Sequence, residues 1–71
     1  MQKIDFQLEG EYIELLQLLK ATDIAQTGGH AKMIVDDKDV VRNGEVETRR
    51  RAKIVKGDNL IIGDQIEIAI C

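Results

Sequence analysis

The sequence predicts an α+β fold, with two helices packed on a small antiparallel/mixed sheet of short strands. Three observations point there. A stretch near the start, Lys3–Leu8, alternates apolar and polar residues. Helical spacing of apolar residues appears next, twice, and is confined to the first half of the chain. The second half is cut into short extended runs by the turn pairs Asn43-Gly44, Gly57-Asp58 and Gly63-Asp64.

Taken in order, Lys3–Leu8 places Ile4, Phe6 and Leu8 on one face, as a half-buried strand requires, and Glu9-Gly10 ends it. Glu11–Ala21 reads as a helix. Tyr12, Leu15, Leu16 and Leu19 follow the i, i+3, i+4, i+7 pattern, and Ile13 and Leu18 widen the stripe. Glu11 and Glu14 near its start and Lys20 near its end suit the helix dipole. Thr22–Gln26 is a connector whose Ile24 packs inward. Thr27 has the chemistry of an N-cap for a second helix running to about Asp37, with Ala31, Ile34 and Val35 facing in and Lys32 facing out. Val40–Arg42 and Glu45–Thr48 flank Asn43-Gly44, the strongest short-range hairpin signal. Leu60–Ile62 and Gln65–Ile70 flank Gly63-Asp64 as a second hairpin, with Ile66, Ile68 and Ile70 inward and a strand edge open to pairing.

At 71 residues the chain is expected to be one domain, 1–71, with room for one small core. Its 44% apolar content, rich in Ile, Val and Leu, is enough to build that core. Phe6 and Tyr12 are the only aromatics, which argues against binders that stack successive bases on aromatic platforms. No apolar run approaches the roughly 20 residues that span a bilayer. The start of the chain lacks the apolar stretch of a signal peptide. The single cysteine, Cys71, has no partner for an internal disulfide, so a cytoplasmic location is the expectation.

Charge is unevenly distributed. The net charge is −3, yet Thr48–Lys56 holds five cations and no acid. Residues 1–25 carry two lysines against five acids, residues 26–56 eight cations against five acids, and residues 57–71 three acids alone. A basic block kept within an acidic chain points to a polyanionic partner.

Three segments in fixed order carry a family resemblance: Thr27-Gly28-Gly29-His30-Ala31-Lys32 opening a helix, Asn43-Gly44-Glu45-Val46-Glu47-Thr48-Arg49-Arg50-Arg51, and Lys53-Ile54-Val55-Lys56-Gly57-Asp58. Together they resemble the ribosomal protein S-four-like RNA-binding domain, or alpha-L RNA-binding motif, with its core at residues 27–58. The chain looks most like the small stand-alone bacterial version. The resemblance implies a module that recognises structured RNA, of the ribosomal or transfer RNA class, with ribosome association as one expectation, and without catalytic residues or cofactors. Two positions depart from the family pattern. Lys38 stands where glycine is common, at a cost of about 1 kcal/mol if the backbone there is left-handed. Arg42 stands where a β-branched residue is common, and either adds a cation or marks an exposed strand face.

The candidate RNA-binding residues are Gly28, Gly29, His30, Lys32, Arg42, Arg49, Arg50, Arg51 and Lys53. A helix start has unpartnered N–H groups and a partial positive charge, and glycines there let a phosphate approach. The plainer reading of Gly28-Gly29 is a flexible helix entry. If Arg49–Lys53 is extended, Arg49, Arg51 and Lys53 share one face and Arg50 takes the other. Guanidinium forks suit bidentate phosphate contacts. The competing use is pairing with Glu45 and Glu47 on a solvated face. Lys32 has Asp36 as its local alternative partner, and His30 can donate to a phosphate or ribose hydroxyl or serve no special purpose. Five phosphate contacts imply a log–log salt slope of about −4.

Catalysis and metal binding have little support. One His and one Cys lack a nucleophile signature, no CxxC or HxxxH occurs, and Asp36, Asp37 and Asp39 do not form a calcium loop. The expectation is a non-catalytic protein that binds structured RNA through a basic groove between the second helix and the arginine strand. The alternative is an adaptor docking to a ribosomal or other basic protein. A ubiquitin-like sulfur carrier is disfavoured, because the chain does not end in Gly-Gly.

Overall fold

Local signals set the helix ends and turns. The computed structural model describes all residues, Met1–Cys71. Thr27 caps the second helix, α2 (Gly28–Asp36), its Oγ1 accepting the His30 N–H at 3.1 Å. Asn43 and Gly44, at φ 52° and 87°, form the two-residue turn between β3 (Val40–Arg42) and β4 (Glu45–Val46). Gly63 and Asp64, also at positive φ, turn β6 (Asn59–Ile62) into β7 (Ile66–Ile70).

The first helix is shorter than expected. α1 covers Leu15–Ala21, and Ile13–Glu14 before it is a short strand, β2. Tyr12 and Ile13 fit a helical stripe by spacing. The backbone at Ile13–Glu14 instead pairs antiparallel with β5 (Lys53–Ile54), Ile13 opposite Ile54 and Glu14 opposite Lys53. Glu14 is the N-cap position but makes no side-chain cap, and Glu11 lies outside the helix.

The main sheet is mixed, in the order β1-β7-β6-β3-β4, with β1 at Gln2–Phe6. β1 runs parallel to β7, with Ile4 opposite Ile68, and the other pairings are antiparallel. The β6–β7 hairpin is therefore interior to the sheet. The exposed edges are β1 and the two-residue β4, not the Leu60–Ile70 hairpin.

Both helices and the sheet close on one cluster. Leu15, Leu18 and Leu19 of α1, Ala31 and Val35 of α2, and Val40, Ile54, Leu60, Ile62, Ile68 and Ile70 of the strands are buried in it. Ile24, Ile34 and Phe6 pack against its margin. Truncating one of the fully buried leucines to alanine is expected to cost about 2–5 kcal/mol. This core fixes α2 and the β5–β6 region relative to each other, and the polar chemistry lies on that frame.

Candidate nucleic-acid interface

At the start of α2, the Gly28 and Gly29 N–H groups have no partner within the protein. A Cβ at Gly28 would meet nothing within 4 Å, and one at Gly29 only the Thr27 hydroxyl at 3.9 Å. Packing therefore does not require glycine at either position. What glycine supplies is an uncovered N–H edge at the positive end of the helix. His30 Nδ1 accepts the Gln26 N–H at 3.4 Å, which leaves Nε2 as the ring's outward nitrogen. Lys32 is exposed one turn further along.

The arginine run is a turn, not an extended strand. The Ala52 N–H donates to the Arg49 carbonyl at 3.2 Å, closing a bend through Arg50 and Arg51. The side chains still divide in two directions. Arg49, Arg51 and Lys53 line one cavity of about 440 Å³ together with Arg42 and Ala52, while Arg50 is not part of that lining. Arg50 reaches α2 instead, where its Nε donates to Asp36 Oδ1 at 3.0 Å and its Nη2 to Oδ2. The hydrogen bond and the charge of Arg50, with Lys32 adding a smaller effect, hold the Asp36 carboxyl below the usual range. Asp36, the local partner expected for Lys32, is thus taken by Arg50, and this pair ties the arginine turn to the outer face of α2.

Arg42 is neither an added surface cation nor the mark of an exposed strand face. Only 19% of its side chain is accessible. Its Nε and Nη2 donate to Asp58 Oδ2 at 3.1 and 2.7 Å, its Nη1 to Glu47 Oε1 at 3.2 Å, and Nη2 also to the Lys53 carbonyl at 2.8 Å. Asp58 is the centre of this network. It also accepts the Asn43 side-chain amide at 3.0 Å and the Val55 N–H at 2.9 Å. Burial pushes the Asp58 carboxyl up, but the Val55 N–H, Asn43 and Arg42 outweigh it, and the net shift is downward. The sequence marked Gly57-Asp58 as a turn and as the end of the third resembling segment, with no partner for Asp58. Asp58 meets Arg42 across 16 positions, a pairing with no local signature.

Glu47 joins the two arginine environments. Its Oε1 accepts from Arg42 and from Arg49 Nη2, and its Oε2 from the Arg49 Nε and N–H at 3.2 and 3.3 Å. The Arg49 side-chain bond is the largest cause of its lowered pKa. Burial opposes it, and the Arg49 N–H and Arg42 reinforce it. Glu45, the other acid expected to pair with the arginine run, has no ion-pair partner, and neither do Arg51 and Lys32. Lys53 Nζ lies 5.0 Å from the centroid of the Tyr12 ring, a contact set up by the β2–β5 pairing that the sequence did not reveal. No group of three or more His, Cys, Asp or Glu side chains is arranged to hold a metal ion. No helix is long and apolar enough to cross a membrane.

The surface therefore has three parts: an uncovered helix start, the single exposed cation Lys32 on α2, and a turn that gathers arginines and a lysine. The sequence profile of the S4 domain matches residues 6–71. This chain belongs to the S4 domain family. Two relatives are similar over most of their length. A Bacillus subtilis (strain 168) protein named "Probable ribosome maturation protein RlbA" is 38% identical over 61 residues, covering 86% of this chain and 78% of its own. An Escherichia coli (strain K12) protein named "Putative RNA-binding protein YbcJ" is 39% identical over 49 residues, covering 69% of this chain and 70% of its own. For this S4 domain, the match at residues 6–71 takes in β2 and α1, well outside the 27–58 core that carried the resemblance in sequence.

Proposed function

We propose that this S4 domain is a non-catalytic binder of structured RNA, of the ribosomal or transfer RNA class, and that it acts on ribosomal particles or their precursors. The observation that carries the reading is the cavity at the arginine turn, lined by Arg42, Arg49, Arg51 and Lys53 with no carboxylate among the lining residues, in a protein of net charge −3. The names of the two relatives, one for ribosome maturation and one for RNA binding, point the same way.

The division of labour follows from the geometry. Arg51 and Lys53 offer cations without a carboxylate partner, and Arg49 offers one whose partner Glu47 can be shared with Arg42. Gly28 and Gly29 present N–H groups to a second phosphate about 12 Å along α2 from the Asp36–Arg50 pair, given a rise of about 1.5 Å per residue. Lys32 lies between the two, and His30 offers Nε2 beside the helix start. Arg42 acts by holding the floor of the cavity. Such contacts read the spacing and shape of a sugar-phosphate backbone more than base identity.

The test is a titration of isotopically labelled protein with a structured ribosomal RNA fragment at low and physiological salt, following backbone amide shifts. Shifts confined to Gly28–Lys32 and Arg49–Lys53 that weaken with salt are expected. Absence of shifts at both salts would overturn the reading and leave the adaptor function, tested by capture of a basic ribosomal protein after nuclease treatment.

A further inference from the structure

Tyr12 is the only tyrosine in the chain, and it is 46% exposed although its neighbours Phe6, Leu8 and Ile13 belong to the core or its margin. Burial does not explain it. Its position is set by strand pairing: β2 follows it directly, and Glu14 lies opposite Lys53, so the ring comes under the Lys53 ammonium at 5.0 Å. On one side, Tyr12 thus adjoins a residue of the cationic cavity. On the other, it lines a cleft of about 330 Å³ with Phe6, Leu8, Gln7, Glu9 and Gln17 among its neighbours. That volume is within the range of about 300–1,000 Å³ typical of small-ligand sites.

The chemistry of the two sides differs in a way that fits one nucleotide. The cavity on the Lys53 side is lined by four cations and Ala52, with Arg51 and Lys53 free of carboxylate partners, and suits a phosphate. The Tyr12 cleft has an aromatic ring, apolar surface from Phe6 and Leu8, and the amides of Gln7 and Gln17, which both donate and accept. Glu9 on its rim repels a phosphate and accepts from a base amino group. A backbone following the cations can turn one unpaired base past Lys53 onto the ring. Only one platform exists, so only one base is held this way.

We propose that Tyr12 is a stacking platform for a single unpaired base of the bound RNA, with Gln7 and Gln17 placed to read its edge and Lys53 moving from the ring to the adjoining phosphate. The substrate preference is then a helix carrying a bulged or looped-out nucleotide over a continuous duplex. This inference rests on the proposed binding of RNA at the arginine turn.

Two synthetic RNA stem-loops, identical except for a single-nucleotide bulge, test it. Affinities are measured by anisotropy of labelled RNA for the native protein, Tyr12→Leu and Tyr12→Phe, and the Tyr12 ring protons and backbone amides are followed by NMR. The bulged RNA is expected to bind at least about fivefold tighter, the effect of one stacked base. Tyr12→Leu should remove that difference and Tyr12→Phe keep it, with the ring protons moving upfield. Equal affinity for the two RNAs, with amide shifts at Arg49–Lys53 and unmoved Tyr12 signals, would overturn the stacking platform while leaving RNA binding at the turn intact. No amide shift with either RNA would overturn both. Because the ring is half exposed and outside the buried core, the leucine variant is expected to fold, and its amide spectrum in the absence of RNA verifies that.

Discussion

Arg42 and the Arg49–Arg51 turn hold the same functional group in opposite circumstances. Arg42 is 19% accessible and bonds two carboxylates and a backbone carbonyl. Arg49 is 73% accessible and bonds one carboxylate, Arg50 is half exposed and bonds one, and Arg51 has no ion-pair partner. Removing Arg42 leaves Asp58 without a cation in a largely buried setting and leaves Glu47 to Arg49 alone. Removing Arg51 strands nothing. The number of carboxylates a guanidinium leaves behind, and how buried they are, separates an arginine that holds the fold from one available to a polyanion. Arg49 lies between these cases, because its partner Glu47 retains Arg42 when Arg49 turns away.

The largest effect is expected for Arg42→Ala. Loss of one partner from a buried ionic network costs about 3 kcal/mol or more. Urea unfolding should show a lower midpoint with an unchanged m-value. A midpoint within error of the native protein would remove Arg42 from the structural side of the comparison. Replacing both Arg49 and Arg51 by alanine should do the reverse. The urea midpoint should move little, because exposed ion pairs contribute about 0–1 kcal/mol. RNA affinity should fall by tenfold or more at low salt, and the log–log salt slope should become shallower by about 1.5–2. If the double variant binds as tightly as the native protein while remaining folded, the turn is not the phosphate contact.

Acid should act through Glu47, the carboxylate common to both environments. Its pKa is lowered on folding from an ordinary value of 4.5, chiefly by the Arg49 side chain and against burial. A depressed folded value means the unfolded chain takes up protons first. The stabilisation is therefore complete above about pH 4.5 and is lost as pH falls through the lower folded value. Asp58, lowered from 3.8, adds a loss in the same direction at somewhat lower pH. Glu47→Gln should have a shallower dependence of urea midpoint on pH between about 5 and 3 than the native protein. Parallel curves would show that Glu47 carries no folding-linked proton and that the bridge between the arginines is weak.

How much of this was legible in the sequence depends on the distance over which each feature is determined. The Thr27 cap, the extent of α2 and the Asn43-Gly44 turn are set by residues within four of one another, and all are where the pattern placed them. The α1 start is not legible locally, because Tyr12 and Ile13 satisfy a helical stripe equally well, and the choice is made by β5, some 40 positions away. The parallel β1–β7 pairing joins opposite ends of the chain and has no turn to announce it. The basic block was visible as composition. Glu47 was legible as a competing partner, two positions from Arg49, but the capture of Arg50 by Asp36 was not, because that pair spans 14 positions.

The smallest effect concerns a cation that belongs to neither class. Lys38 follows the end of α2 with φ 62°. Its N–H donates to the Val35 carbonyl at 3.0 Å, and the Asp39 N–H donates to the Ile34 carbonyl at 3.2 Å. This is the Schellman closure, in which the left-handed position usually holds glycine. The ordinary side chain at that φ costs about 1 kcal/mol or slightly more, and glycine recovers it less its own extra loss of chain entropy. Lys38→Gly should therefore raise stability by about 0.5–1 kcal/mol, seen as a higher urea midpoint at constant m-value. Three acids, Asp36, Asp37 and Asp39, surround the position in sequence, and Lys38 makes no ion pair of its own. RNA affinity should then be unchanged even though a positive charge has gone. A fall in affinity comparable to that of the arginine variants would mean that net charge over the whole surface, rather than the geometry of unpartnered cations at the turn, sets the binding, and the distinction between Arg42 and its neighbours would lose its functional meaning.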